Sequence, residues 1–187
     1  MSQIKVERDL DGIAGLCRIT PTLHGDARGY FTETYSQRDM AEAGFDYVFV
    51  QDNQSMSVKG VLRGLHFQKK FPQTKLVRVI SGAVFDVAVD LREGSPTWGK
   101  NVAVDLTQEG GEQLFIPRGF AHGFVVLSDV AQFQYKVDNV YAPQAEMTVC
   151  FDDPDLGIDW RINPEEMLLS EKDKRGIRLN KVKSLEF

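Results

Sequence analysis

The sequence predicts a mainly β protein, an antiparallel double-sheet jelly roll with a few short helices. Short runs rich in Val, Phe and Ile recur from Gly60 onward, and Gly, Pro, Asp and Asn punctuate them. Residues within the runs alternate with period two, and only two helix-starting signals stand out along the whole chain.

Taken in order, the first local signal is SQRDMAEAGF, where Ser36 caps the start and Gly44 the end of one or two helical turns. The strand runs follow as VLRGLHF, KLVRVI, AVFDVAVDL, NVAVDL, QLFIP, HGFVVL and AQFQYKV, with Ser81-Gly82 and Glu109-Gly110-Gly111 among the turns between them. In AVFDVAVDL, Phe85, Val87, Val89 and Leu91 share one face and form core. Val84, Asp86, Ala88 and Asp90 share the other, which is small and acidic and faces either solvent or a wet cavity. In AQFQYKV, Tyr135 is in phase with Ala131, Phe133 and Val137, so its ring points inward and its hydroxyl needs a partner. Ser170-Glu171-Lys172-Asp173 has the spacing of a capping box ahead of a polar turn. No repeat or linker divides the 187 residues. The expectation is one domain over 1–187, with an N-terminal arm to about 50, a barrel from about 50 to 150 and a helical tail from about 160.

A net charge of −5 argues against a broad nucleic-acid surface and against an anionic membrane partner. A few Arg and Lys can still build a positive pocket for a phosphorylated substrate. Cys17 and Cys150 lie far apart and read as reduced thiols of a cytosolic protein. The N-terminus carries charges where an export signal needs an apolar run, and no segment approaches the ~18 apolar residues of a spanning helix. These features predict a soluble, cytoplasmic protein.

The three histidines are His24, His66 and His122. His66 and His122 sit in strand segments bracketed by glycine, and glycine inside a strand marks a bulge or a close approach. Each alone reads as a satisfied structural histidine; two together, with Arg63 beside one, point to a site. A metal centre built from His66, His122 and Asp86 is the first alternative. However, no His-x-His pair occurs, and the residue two beyond His66 is Gln68.

Eight stretches, in order from about residue 20 to 175, closely resemble the dTDP-4-dehydrorhamnose 3,5-epimerase family. The N-terminal ones are Asp26-Ala-Arg28-Gly-Tyr-Phe31-Thr-Glu33, Gln51-Asp-Asn53-Gln-Ser55-Met-Ser57 and Gly60-Val-Leu-Arg-Gly-Leu-His-Phe-Gln68. The others are Lys75-Leu-Val-Arg-Val, Phe85-Asp-Val-Ala-Val-Asp-Leu-Arg92, Gly94-Ser-Pro-Thr-Trp-Gly99, Ile116-Pro-Arg-Gly-Phe-Ala-His-Gly123 and Asp153-Pro-Asp-Leu-Gly-Ile-Asp-Trp160. The resemblance implies a cupin-type jelly roll, usually a homodimer, that binds a dTDP-sugar and inverts the carbons beside its C4 ketone. The chemistry asks for a base on one side, an acid on the other and a partner for the enolate oxygen, without metal or other cofactor.

Carried over by motif, His66 matches the base, Tyr135 the proton donor and Lys75 the group beside the C4 oxygen. Asp173 matches the acid that orients His66, in competition with its place in the Ser170 capping box. Arg28, Glu33, Gln51, Asn53, Arg63, Tyr141, Glu146 and Lys172 match substrate-binding positions. His122 is read as pocket-forming, Asp86 as supporting and His24 as a surface residue. Arg28 and Arg63 suit diphosphate, because guanidinium forks grip phosphate oxygens bidentately. Arg28 lies in the arm and is expected to reach across a dimer interface. Two departures stand out: Arg161 follows Trp160 where proline is usual, and Met147-Thr-Val-Cys150 replaces a more polar stretch. Two rivals remain open: an enzyme that inverts one centre only, and a sugar-nucleotide-binding module without catalysis.

Overall fold

The computed structural model describes residues 3–182. The strands are β1 (Ile4–Glu7), β2 (Cys17–Pro21), β3 (Leu23–Asp26), β4 (Gly29–Thr32), β5 (Gln51–Val58), β6 (Leu62–Gln68) and β7 (Lys75–Ser81). They continue as β8 (Ala83–Asp90), β9 (Asn101–Thr107), β10 (Gln113–Ile116), β11 (Phe120–Val126), β12 (Val130–Val137) and β13 (Glu146–Thr148). One sheet has the order β1-β2-β10-β7-β12-β5 and the other β13-β6-β11-β8-β9, with every pairing antiparallel. This is a jelly roll of the cupin kind.

Two short α-helices occur among the described residues, α1 (Gln37–Glu42) and α2 (Leu179–Val182). The Ser36 hydroxyl accepts the Asp39 N–H at the start of α1, and Gly44 takes φ 84° after its end. Part of the expected C-terminal helical tail, residues 183–187, lies outside the described residues.

Apolar residues explain why the sheets stack. Val77, Leu114 and Phe133 of one sheet meet Val84, Leu106 and Phe124 of the other in the interior. The outer face of the five-stranded sheet (Phe85, Val87, Val89) lies under Leu156, Trp160, Leu179 and Val182 of the tail. The outer face of the six-stranded sheet (Cys17, Ile19, Phe115) lies under Met40 and Phe45.

Both faces of β8 are therefore buried. Its acidic face lies inside the sandwich, where Asp86 and Asp90 have no exposure. The arm is less separate than its sequence suggested, because β1 and β2 extend the six-stranded sheet. Only β3 and β4 stand apart, as a hairpin with Tyr30 and Phe31 exposed.

The glycines near His66 and His122 serve the backbone. A Cβ on Gly64 would sit 2.5 Å from the Gly123 Cα, and one on Gly123 would lie 2.7 Å from the Arg63 carbonyl oxygen. Strands β6 and β11 approach closely here, with a register shift between His122 and Phe124, and His66 and His122 are directly opposite. At the two departures the chain also has local reasons. Arg161 adopts φ 57°, which a proline ring cannot, and pairs with Asp105 at 2.8 Å. Val149, within the less polar stretch, is fully buried.

Candidate active site

An open cavity enters between the sheets in two lobes of about 530 and 460 Å³. His66, Gln73, Lys75, Tyr135, Tyr141 and Glu146 line both. Gln51, Asn53, Arg63, His122 and Lys172 line only the first, more polar lobe. The second lobe runs to Leu91, Arg92, Arg118 and Phe120, none of which was singled out as a site residue from sequence. His66 comes from the five-stranded sheet, whereas Lys75 and Tyr135 come from the six-stranded sheet. The cavity thus holds an imidazole on one wall and a phenol and an ammonium on the other.

The His66 Nε2 lies 2.5 Å from Asp173 Oδ1, and its Nδ1 lies 4.0 Å from Glu146 Oε1. The Asp173 carboxylate is almost wholly buried, and its Oδ2 accepts the Ser170 hydroxyl at 2.7 Å. Burial pushes this carboxyl up, but bonds from His66, Ser170 and the Gly64 N–H outweigh it and hold the group below its ordinary range. The Asp173 N–H meanwhile donates to the Ser170 oxygen at 3.2 Å. The two sequence readings of Asp173 coexist: one turn supplies both the cap and the carboxylate on the imidazole.

A second pair is buried deeper. His122 Nε2 lies 2.9 and 3.1 Å from the two Asp86 oxygens. Burial lowers the His122 pKa while Asp86 opposes the shift. The ring stacks 6.0 Å from Phe133, as a wall of the cavity. His66 and His122 thus each face their own carboxylate, and among the described residues no three His, Cys, Asp or Glu side chains gather as metal ligands.

Lys75 forms no ion pair among the described residues. Burial lowers its ammonium to about 8, against the pull of Asp86 and Glu146. Desolvation likewise raises the Tyr135 pKa, and its hydroxyl has no hydrogen bond to a described residue. Glu146 Oε2 accepts Tyr141 OH at 2.7 Å and Lys172 Nζ at 2.8 Å. Burial pushes Glu146 up, but these two donors hold it below the usual range, and the bond to Glu146 raises Tyr141 to about 12.

The remaining predicted residues divide sharply. Gln51 uses its carboxamide internally, donating to Asn53 Oδ1 at 2.7 Å and accepting the Tyr141 N–H at 3.1 Å. Arg63 donates to the Ser57 hydroxyl at 3.1 Å and is otherwise exposed. Arg28 and Glu33 do not reach this chain's cavity. Arg28 caps the β3–β4 turn, fully in solvent, and pairs with Asp26. Glu33 is exposed just beyond β4. His24 is exposed on the hairpin, 3.2 Å from Gln3.

An oriented imidazole facing a phenol and an unpaired ammonium across one cavity of a jelly roll is the equipment of a carbohydrate epimerase. The family profile described as dTDP-4-dehydrorhamnose 3,5-epimerase matches residues 11–181. An enzyme of that name from Pseudomonas aeruginosa is 54% identical over 157 residues, covering 83% of this chain and 86% of that one. The crystal structure of dTDP-6-deoxy-D-glucose-3,5-epimerase from Legionella pneumophila, in complex with dTDP-4-keto-L-rhamnose, superposes with a TM-score of 0.90. It is 47% identical and covers 95% of this chain and 93% of its own. A 3′-monoepimerase from Streptomyces bikiniensis, solved with dTDP, is 32% identical with a TM-score of 0.83 over 91% of this chain and 86% of its own. The chain belongs to the dTDP-4-dehydrorhamnose 3,5-epimerase family.

Proposed function

We propose that this chain converts dTDP-4-dehydro-6-deoxy-D-glucose into dTDP-4-dehydro-L-rhamnose, by inverting C3 and C5 within dTDP-rhamnose biosynthesis. One observation carries the reading. In a chain of this family, the His66 imidazole, held by Asp173 of the tail, and the Tyr135 phenol come from opposite sheets into a single cavity that Lys75 also lines.

His66 takes the proton from the carbon beside the ketone, on the ring nitrogen that Asp173 does not occupy. Asp173 stabilises the imidazolium that forms. The electron pair moves to the C4 oxygen, where the Lys75 ammonium offsets the new charge. Tyr135 then gives its proton to the opposite face of the carbon, and solvent restores both groups. Each centre loses one proton and gains one, so the oxidation state is unchanged and the chemistry calls for neither a redox cofactor nor a metal. Arg63 and Lys172 suit the diphosphate, and Gln51, Asn53, Tyr141 and Glu146 suit the thymidine and sugar. His122, held by Asp86, forms the wall behind the sugar.

The reading carries with it a cytoplasmic homodimer without a nucleic-acid or membrane partner. Arg28 and Glu33, outside their own cavity, would then reach the cavity of a second subunit.

Proton NMR of the reaction in deuterated water, with dTDP-4-keto-6-deoxyglucose, tests the proposal directly. Deuterium at both C3 and C5 of a rhamno product is the expected outcome. Label at a single carbon would instead make the protein a monoepimerase, the activity named for the Streptomyces enzyme of the same fold. No exchange at either carbon would overturn both.

A further inference from the structure

We infer that Gln68 is a positioning residue whose carboxamide fixes the main chain on both sides of Tyr141, and so sets the aromatic rim of the nucleotide site. Gln68 ends β6, two residues beyond His66, and is 7% exposed. Its Oε1 accepts the Ala142 N–H at 2.8 Å, and its Nε2 donates to the Val140 carbonyl at 3.3 Å. One side chain thus holds the acceptor before Tyr141 and the donor after it, as a neighbouring strand would. The same Nε2 donates to the Phe71 carbonyl at 2.7 Å, joining the 69–74 loop to the Tyr141 segment.

Tyr141's own N–H is taken by Gln51 Oε1. Its ring lines both lobes while being 49% exposed, so packing alone does not fix it. Its hydroxyl holds Glu146, which sits opposite Gln68 across the β6–β13 pairing. Loss of the carboxamide would therefore free the segment that carries the rim and leave the His66–Asp173 pair in place. Only an amide satisfies this site. A carboxylate would set oxygens against two carbonyls, and a thioether would leave all three backbone groups unpaired.

The inference rests on the proposed binding role of Tyr141, and the test separates the two. Gln68→Met and Gln68→Glu are compared with wild type by amide hydrogen exchange and by calorimetric titration with thymidine diphosphate, alongside Tyr141→Ala and the Gln68→Met/Tyr141→Ala double variant. Exchange should accelerate at least about tenfold across residues 140–146, with the interior strands unchanged. The Kd for thymidine diphosphate and the KM should each rise about tenfold, while kcat stays within about threefold. The double variant should bind no more weakly than Tyr141→Ala, because the two changes act along one path. Additive losses, unchanged exchange, or a fall in kcat at constant KM would overturn the positioning role. Should Gln68→Met fail to fold, Gln68→Glu carries the same comparison. If Tyr141→Ala binds like wild type, both the role of Tyr141 and that of Gln68 fall. If wild type binds thymidine diphosphate and the cycle behaves as expected without epimerisation, only the proposed reaction falls.

Discussion

His66 meets a carboxylate that is itself held by the Ser170 hydroxyl and the Gly64 amide, so the imidazole inherits its orientation from a satisfied buried group. Replacing His66 by Ala should cost at least ~10²–10⁴-fold in turnover and abolish solvent exchange at both carbons. Asp173→Asn should slow exchange and inversion together, as both need the base. Tyr135→Phe should separate them. Deuterium should continue to enter through His66 while inversion falls much further, since the enolate then regains its proton only from the face it left. Equal slowing of both in product NMR would return Tyr135 to the core. Lys75 adds a pH prediction. A lysine is charged below its pKa, so stabilisation of the enolate is present at low pH and lost as pH rises through about 8. The kcat/KM profile should fall above that point, and Lys75→Met should show a lower kcat/KM without that limb. At this scale strand phase turned Tyr135 inward, whereas His66, Lys75 and Asp173 were picked out as site residues by the family resemblance and not by periodicity. Gln68 was legible only as the absence of a metal ligand. A buried amide that serves distant main chain leaves no periodic trace.

Elements explain what the phase of β8 left open. Its acidic face looked compatible with solvent, but Asp90 is enclosed and accepts from Arg92, Ser95 and Thr97, while Arg92 also donates to the Ala14 carbonyl. Burial pushes the Asp90 carboxyl up, and these donors more than reverse it, leaving its pKa far below the ordinary value. The sign follows: a depressed carboxylate adds stability above its unfolded pKa of about 4, and that contribution is lost as pH falls through and below it. Asp90→Ala should destabilise the fold by about 2 kcal/mol or more in urea unfolding and flatten the acid limb of the stability profile. Gly64→Ala should cost at least about 2 kcal/mol by the same measurement, since a methyl group there meets Gly123 and the backbone holds φ 142°. Strands β1 to β5 precede the runs read from the sequence, which begin at Gly60, and β13 lies outside them. β5 is a polar edge strand, paired only with β12 far along the chain, and β13 has three residues. Long-range pairing, not local propensity, makes both into strands.

At the scale of the whole molecule, the β3–β4 hairpin is the feature that a single chain leaves unexplained. It carries Arg28 and Glu33 away from the cavity and exposes Phe31 at 70% and Tyr30 at 59%. If Arg28 completes a partner's site, subunits lacking Arg28 and subunits lacking His66 should rescue one another. Mixing Arg28→Ala with His66→Ala protein should restore about a quarter of wild-type turnover, since half the dimers are mixed and each has one intact site. Mixtures no more active than their parents would confine Arg28 to its own chain.

The bond between His66 and Asp173 spans 107 positions of sequence. Synthesis runs from the N-terminus, so every strand of both sheets emerges before the carboxylate that orients the base. A nascent chain halted at residue 169 could pair all its strands and still have an unguided imidazole. On the proposed mechanism the site would thus be completed by the last part of the chain to emerge. A cut near Ser170 would part His66 from its carboxylate and also remove Lys172 and the Leu179 and Val182 side chains that cover the five-stranded sheet.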